Sequence, residues 1–115
     1  MEYNDTYGGY IFETDAVIFL WEQDLSEVQI ADAYQMEKSY LDNLNYIADE
    51  IFKEVKDIWE VESAEEVKSK LGRPVIEPER GVATYCDHQL DDTHIISFEF
   101  EGSSFDKIFY VAIDG

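Results

Sequence analysis

The stretch from Tyr34 to Trp59, YQMEKSYLDNLNYIADEIFKEVKDIW, decides how the rest of the chain can fold. Its apolar residues recur at steps of three and four over about seven turns, which is the spacing of one helix face. The stripe consists of Tyr40, Leu41, Leu44, Ile47, Ala48, Ile51, Phe52, Val55, Ile58 and Trp59. So broad an apolar face needs a sheet to cover it. The sequence therefore predicts one long helix packed on a sheet.

The start of this long helix has two candidate caps. Ser26 begins one capping pattern and Asp32 begins another, because each is followed three residues later by a glutamine. The segment between them also alternates between apolar and polar residues, as a short strand would. We predict a start near Asp32, so that the helix spans roughly residues 32–61.

A second, shorter helix is predicted over residues 63–71. Ser63-Ala64-Glu65-Glu66 is a capping box, in which the serine and the second glutamate satisfy backbone N–H groups of the first turn. Gly72 is suited to the end of a helix, and Pro74 cannot continue one. These signals fix both ends of the helix.

Five apolar segments are predicted to form the sheet. They are residues 10–12, 16–21, 81–87, 93–100 and 107–113. The segment Ala16–Trp21 does not alternate, which predicts a well-buried strand near the middle of the sheet. The last three segments are joined by short connections, so they are expected to form an antiparallel meander. Residues Phe109, Val111 and Ile113 are expected on its apolar face.

Val75 and Ile76 lie between Pro74 and Pro78, which lack the N–H that a β-ladder needs. We therefore predict an extended connector or an edge segment there. The complete prediction is a single α+β domain over residues 1–115, with an antiparallel sheet of about five strands and one long and one short helix packed on one face. The predicted core includes Ile18, Leu20, Leu44, Ile51, Val55, Phe98, Phe109 and Val111.

The chain is strongly acidic, with a net charge of −19 and 45% hydrophobic residues. The hydrophobic fraction is that of a globular protein, so the charge does not indicate a disordered chain. It disfavours nucleic acids and anionic membranes, and it favours a basic protein as partner. Residues 1–37 carry nine acidic side chains and no Lys or Arg. Either the charge maintains solubility, or it forms a field shaped for one partner.

The compartment is predicted from cysteine usage and from the lack of a membrane signal. Cys86 is the one cysteine, which excludes an internal disulfide and fits a reducing compartment. The sequence has no apolar run of about 18 residues and no pattern of a secretory leader at its start. We therefore expect a cytoplasmic protein that does not associate with membranes.

The densest cluster of candidate metal ligands lies in residues 86–94, which hold both histidines and the thiol. A hairpin could bring His88, His94 and Asp91 together, and nitrogen and carboxylate ligands suit zinc. The alternative is turn chemistry, because Asp and His in loops commonly hydrogen-bond their own backbone.

No set of nucleophile, base and orienting group is recognisable in the sequence. We predict no catalytic and no cofactor-binding residue, and a binding module is favoured over an enzyme. A small metal-dependent enzyme that uses residues 87–94 is the alternative.

Aromatic and acidic residues are concentrated near the start of the chain. Aromatic anchors beside carboxylates are typical of a surface that binds a basic protein. The predicted partner-binding residues are Tyr7, Tyr10, Glu13, Asp15 and Glu22. The alternative is that the aromatic residues close the edge of the core.

Residues Thr93–Phe100, running into Gly102 and a last strand, resemble a bacterial family of small acidic α/β proteins of unknown function. With the preceding long helix, the resemblance extends over about two thirds of the chain. In size and composition the chain is also similar to immunity proteins that neutralise toxins. The sharpest form of the partner prediction follows from the acidic field and is an inhibitor whose N-terminal acids cover a cationic active site; a housekeeping adaptor is the milder form. The candidate acids are Glu2, Asp5, Glu13, Asp15, Glu22 and Asp24.

Overall fold

The structure is a computed structural model that describes residues 3–24 and 27–114. It has the predicted α+β class. Glu2 and the possible cap at Ser26 lie outside these residues. The elements in chain order are β1 (Tyr3–Asn4), β2 (Gly9–Glu13), β3 (Ile18–Trp21), α1 (Glu27–Asp42), α2 (Leu44–Val55), α3 (Ala64–Lys70), β4 (Val75–Glu77), β5 (Val82–Tyr85), β6 (Ile95–Phe100) and β7 (Ile108–Asp114).

The strands of the described chain form one seven-stranded sheet whose spatial order is the chain order. Neighbouring strands are antiparallel except β3 and β4, which are parallel. The three helices all lie between β3 and β4 in sequence, and a crossover of this kind returns the chain in the same direction. The sheet is therefore mixed, with seven strands instead of the predicted five antiparallel ones; the added strands are β1 and β4.

The prediction of a connector or edge segment at Val75 and Ile76 is wrong. These residues belong to β4, which lies between β3 and β5 inside the sheet. Pro74 and Pro78 fall just outside the three paired residues, so no N–H of the ladder is missing. Pro74 also accepts a hydrogen bond through its carbonyl oxygen from the Ile18 N–H, at 3.0 Å. The prolines limit the length of β4 without excluding it from the interior.

The boundaries of the long helix differ from the prediction at both ends. α1 begins at Glu27, not near Asp32, and α2 ends at Val55 instead of continuing to residue 61. The short helix agrees with its prediction, since the Ser63 hydroxyl accepts a hydrogen bond from the Glu66 N–H at 3.2 Å.

No helix within the described ranges has the length and apolar character needed to cross a bilayer.

The long helix is interrupted at Asn43, so the predicted single helix is wrong. Asn43 has φ −108° and ψ 10°, outside the helical range. Its side-chain amide donates to the carbonyl oxygens of Ser39 and Ser104, both at 2.9 Å. An asparagine that bonds nearby carbonyls offers the backbone an alternative to the helical ladder. The break divides the predicted helix into α1 and α2.

All three helices pack on one face of the sheet and share one core. α2 buries the centre of the predicted stripe, including Ile47, Ile51 and Val55. Leu41 and Ile58, which the pattern placed on this stripe, are 47% and 54% exposed, because the helix breaks or ends beside them. In α1 the buried residues are Ala33, Met36 and Tyr40, of which Tyr40 belongs to the predicted stripe.

The predicted position of Phe109 on the apolar face is wrong because β7 contains a bulge. Phe109 pairs with Glu99, whose side chain points away from the helices. Tyr110, with φ +53°, and Val111 together face Phe98 on β6. The extra residue reverses the alternation, so that Val111 reaches the core.

The remaining core predictions are largely confirmed. Ile51, Val55 and Phe98 are fully buried in the shared core. Ile18 is also buried, but the strand register places it on the sheet face away from the helices, beside Val75. The residues predicted as core that are only partly buried are Leu20, Leu44 and Val111.

Candidate functional site

The predicted partner-binding residues lie at two ends of the β2–β3 hairpin. Tyr10 pairs with Trp21 at one end, and Glu13 pairs with Ile18 at the other. Three residues along a strand correspond to about 10 Å. The residues beside Trp21 are Tyr7, Tyr10 and Glu22, and those beside Ile18 are Glu13 and Asp15. The structure therefore divides the predicted surface into two groups.

The group beside Ile18 is partly neutralised by a basic side chain. A carboxylate oxygen of Glu13 lies 3.3 Å from the guanidinium of Arg73, which also donates to the Thr14 carbonyl at 3.1 Å. The Thr14 hydroxyl in turn accepts hydrogen bonds from the backbone N–H groups of the turn that holds Asp15. This end of the hairpin is thus tied to the segment before β4, which leaves Asp15 as its unneutralised acid.

Two members of the group beside Trp21, Tyr7 and Glu22, line a cavity of about 250 Å³, here called the Tyr7 groove, and Tyr10 lies outside its lining. Its lining consists of Tyr7, Gly8, Leu20, Trp21, Glu22, Glu77, Glu79 and Arg80. Arg80 pairs with Glu77 at 3.1 Å, so one of the three acids is already neutralised. The carboxylates of Glu22 and Glu79 are not paired with a basic side chain within the described residues.

A second cavity adjoins the first and has a volume of about 430 Å³. This cavity, here called the Met36 pocket, shares Trp21 and Glu79 with the Tyr7 groove. Its apolar lining is Trp21, Ala33, Met36 and Pro78, and its polar lining is Gln29, Asp32, Gln35, Glu79 and Ser103. Neither Lys nor Arg is part of this lining.

Two elements of the fold build the Met36 pocket around Trp21. The indole is only 5% exposed and stacks on Phe19, with ring centroids 5.7 Å apart. α1 passes beside it and supplies one wall, and the turn at residues 78–81 supplies the other. Gly81 ends that turn with φ +66°, and a Cβ there would lie 2.7 Å from the Phe100 carbonyl oxygen. The turn at residues 78–81 is therefore held close to β6. Because Glu79 belongs to this turn, it lies at the pocket.

The carboxylates at the pocket are not used to stabilise the fold. Asp32 and Glu79 are exposed and form no hydrogen bond or ion pair of their side chains with the described part of the chain. They line the pocket from different elements, Asp32 from α1 and Glu79 from the turn before β5. Two unpaired anions above an apolar floor attract a cation that carries an apolar stem.

Two further predicted acids, Asp5 and Asp24, lie outside both cavities. Asp5 and Asp24 are exposed, and Asp24 has an interaction partner. They add to the field around Trp21 without lining either cavity.

His88 of the predicted zinc cluster is held by backbone groups. The Nδ1 atom of His88 accepts a hydrogen bond from the Leu90 N–H at 3.1 Å. Its Nε2 atom lies 2.6 Å from the His94 carbonyl oxygen, so Nε2 carries the proton and donates it. Both ring nitrogens of this buried side chain are therefore occupied by hydrogen bonds that close the loop at residues 86–94, here called the Asp91 loop.

Asp91 fastens this loop to the segment that follows α2. One carboxylate oxygen accepts the backbone N–H groups of Thr93 and His94, at 3.1 and 2.9 Å. The other accepts the Trp59 indole N–H at 3.1 Å and is hydrogen-bonded to the His94 ring. Desolvation acts to raise the pKa of Asp91, but the hydrogen bonds with His94 and Thr93 outweigh it and lower the pKa.

Within the described ranges, no three or more His, Cys, Asp or Glu side chains are grouped so as to hold a metal ion. His88, His94 and Asp91 are close together, but their hydrogen bonds fix the loop, as the alternative of turn chemistry expects. Zinc binding by these residues stays a prediction that a metal titration would test.

The Cys86 thiol is held protonated, because burial, Asp87 and Glu77 raise its pKa.

The Asp91 loop should lose stability at low pH. The lowered pKa of Asp91 means that its contribution to stability is present above the ordinary value, about 3.9, and is lost as pH falls through the folded pKa. We expect the indole N–H resonance of Trp59 to move to its solvent-exposed position over that range. Asp91→Ala should show the exposed position already at pH 7. A Trp59 resonance that is unchanged in this variant would contradict the assignment.

Of the predicted partner-binding residues, Tyr7 and Glu22 line the Tyr7 groove and Tyr10 lines neither cavity; Met36 and Glu79 were not predicted. The turn signal at residues 78–81 could have suggested that Glu79 meets the end of a neighbouring strand. Comparison with known proteins gives no match to a family model, to a curated protein or to a solved structure.

Proposed function

We propose that the protein is a binding module that acts on a basic protein, as an inhibitor of the immunity-protein kind in a bacterial cytoplasm. The observation that carries the proposal is the pair of adjoining cavities around Trp21. They combine an aromatic centre with the unpaired carboxylates of Asp32, Glu22 and Glu79. Protein interfaces commonly have this arrangement of a buried aromatic centre and a polar rim.

The overall charge supports a cationic partner. The net charge of −19 gives the molecule a field that attracts a basic surface over distances longer than direct contact. Such a field mainly raises the rate of association, and salt screens it. The same field repels the phosphates of nucleic acids, so they are not part of the proposal.

The choice of a binding module over an enzyme rests on the state of the chemically active side chains. The Cys86 thiol has a raised pKa, which favours the form that is not nucleophilic. His88 and Asp91 are committed to hydrogen bonds that fix their loop. We assign no catalytic residue and no cofactor. A cytoplasmic location is consistent with the single thiol of Cys86.

The proposal predicts a partner whose capture depends on salt and on the charges at Trp21. Tagged protein should capture a basic protein from the source cell at low salt and release it as salt rises, as read by mass spectrometry. Glu22→Gln/Glu79→Gln should reduce this capture several-fold. Asp42→Asn/Glu54→Gln removes the same number of charges from exposed helix positions and should leave capture nearly unchanged.

Two outcomes would contradict the proposal. The first is the absence of any basic protein at low salt. The second is an equal loss of capture in the two double variants, which would show that total charge, and not the surface at Trp21, controls binding. A gene for a toxin beside the gene for this protein would select the inhibitor over a general adaptor.

A further inference from the structure

We propose that the Met36 pocket receives one arginine side chain of the protein partner. The inference rests on the proposed function and adds the chemistry of the contact. The volume of about 430 Å³ lies at the lower end of the range of about 300–1,000 Å³ for ligand sites, which suits a side chain. The pocket is open to solvent and shares Trp21 and Glu79 with the Tyr7 groove, so a partner that contacts these residues can insert a side chain.

The lining of the pocket matches the two parts of an arginine. Ala33, Met36 and Pro78 offer apolar contact to the aliphatic stem, and Trp21 lies beside them. The carboxylates of Asp32 and Glu79 stand on two walls, where they can accept hydrogen bonds from different N–H groups of a guanidinium. Such charge-assisted bonds are roughly twice as strong as neutral ones.

Arginine fits this arrangement better than lysine does. A guanidinium presents five N–H donors in a planar fork, is weakly hydrated and packs on aromatic rings. The ammonium of lysine is a compact point charge that loses more hydration on entering an apolar pocket. Two separated carboxylates and an indole therefore favour the planar cation.

Three other cavities fit a cation less well, because each of the three includes a basic side chain. Arg80 lines the Tyr7 groove, and Lys107 lines a cavity of about 630 Å³ next to Phe109. Lys68 lines a further cavity, between α2 and α3. The Met36 pocket combines an apolar floor with two carboxylates and no opposing cation in its lining.

The inference is tested by titrating the protein with the peptide acetyl-Gly-Arg-Gly-amide while NMR records the Met36 methyl and the Trp21 indole N–H. Both signals should shift and saturate. Replacing the arginine by its uncharged analogue citrulline should weaken binding about tenfold or more, and lysine should bind more weakly than arginine. Asp32→Asn/Glu79→Gln should lose about as much as the citrulline peptide does. Asp42→Asn/Glu54→Gln should bind within about twofold of the parent.

Equal binding of the citrulline peptide, or peptide binding that Asp32→Asn/Glu79→Gln leaves unchanged, would overturn the inference. Free arginine amide that binds while the peptide does not would also overturn it, because the pocket would then be a small-molecule site. A captured basic partner that binds Asp32→Asn/Glu79→Gln like the parent would leave the proposed function standing and remove the arginine pocket. Peptide binding without any captured partner would instead remove the proposed function.

Discussion

Ile51→Ala should lower the free energy of unfolding by about 2–5 kcal/mol, the usual cost of removing a buried isoleucine side chain. Ile51 lies in the middle of α2, is fully buried and belongs to the core shared by all three helices and the sheet. Alanine has a high helix propensity, so the substitution does not weaken α2 itself. The expected loss therefore measures packing against the sheet, and urea unfolding followed by circular dichroism would report it.

Leu44→Ala is the matched control for this prediction. Leu44 is the first residue of α2 and is only partly buried, so its truncation should cost about 1 kcal/mol. The sequence pattern alone gives Leu44 and Ile51 equal weight, because both lie on the predicted stripe. Equal losses in the two variants would contradict the packing of α2 as the structure has it.

The helix stripe was predictable because burial on one face imposes a period of three to four residues over a long segment. Ile47, Ile51 and Val55 show that this signal survives where the helix lies flat on the sheet. The break at Asn43 was not predictable in the same way. It depends on a hydrogen bond to the Ser104 carbonyl, 61 positions away in the sequence, and on a local competition between side chain and backbone.

The sheet shows the same division between local and long-range signals. The meander of β5, β6 and β7 was predictable from short connections and alternating residues. The position of β4 was not, because two prolines around three residues suggest an edge unless the parallel partner β3 is known. Phe109 was assigned to the wrong face since the bulge at Tyr110 changes the phase of β7 without any clear signal in composition.

The sequence predicted some of the residues that line the two cavities and missed others. An excess of acidic and aromatic residues near the start of the chain indicated a surface for a basic partner, and Glu22 does lie beside Trp21 there. Asp32 was interpreted as a helix cap, whereas it lies within α1 at the rim of the Met36 pocket. The second carboxylate of the pocket, Glu79, belongs to a turn that only the tertiary fold brings near α1.

The largest polar effect is expected in the core, where Tyr40 and Tyr85 are both buried and their hydroxyl oxygens are 2.5 Å apart. Tyr40→Phe leaves the Tyr85 hydroxyl without this hydrogen bond, and Tyr85→Phe does the same to Tyr40. Each single variant should lose about 1–3 kcal/mol, because an unsatisfied buried hydroxyl keeps its desolvation cost. The variant Tyr40→Phe/Tyr85→Phe contains neither hydroxyl and should be at least as stable as either single variant.

A double-mutant cycle of urea unfolding at pH 7 measures this coupling, and additive losses would contradict a shared hydrogen bond. Alkaline pH supplies an independent readout. Burial raises the pKa of Tyr40 from 10.0 to about 12 and raises that of Tyr85 as well. The unfolded chain therefore loses these protons first, so the contribution that is complete below pH 10 declines as pH rises through the folded pKa. Stability between pH 7 and 11 should fall less in the Tyr40→Phe/Tyr85→Phe variant than in the parent, because the two hydroxyls that resist ionisation in the folded state are gone.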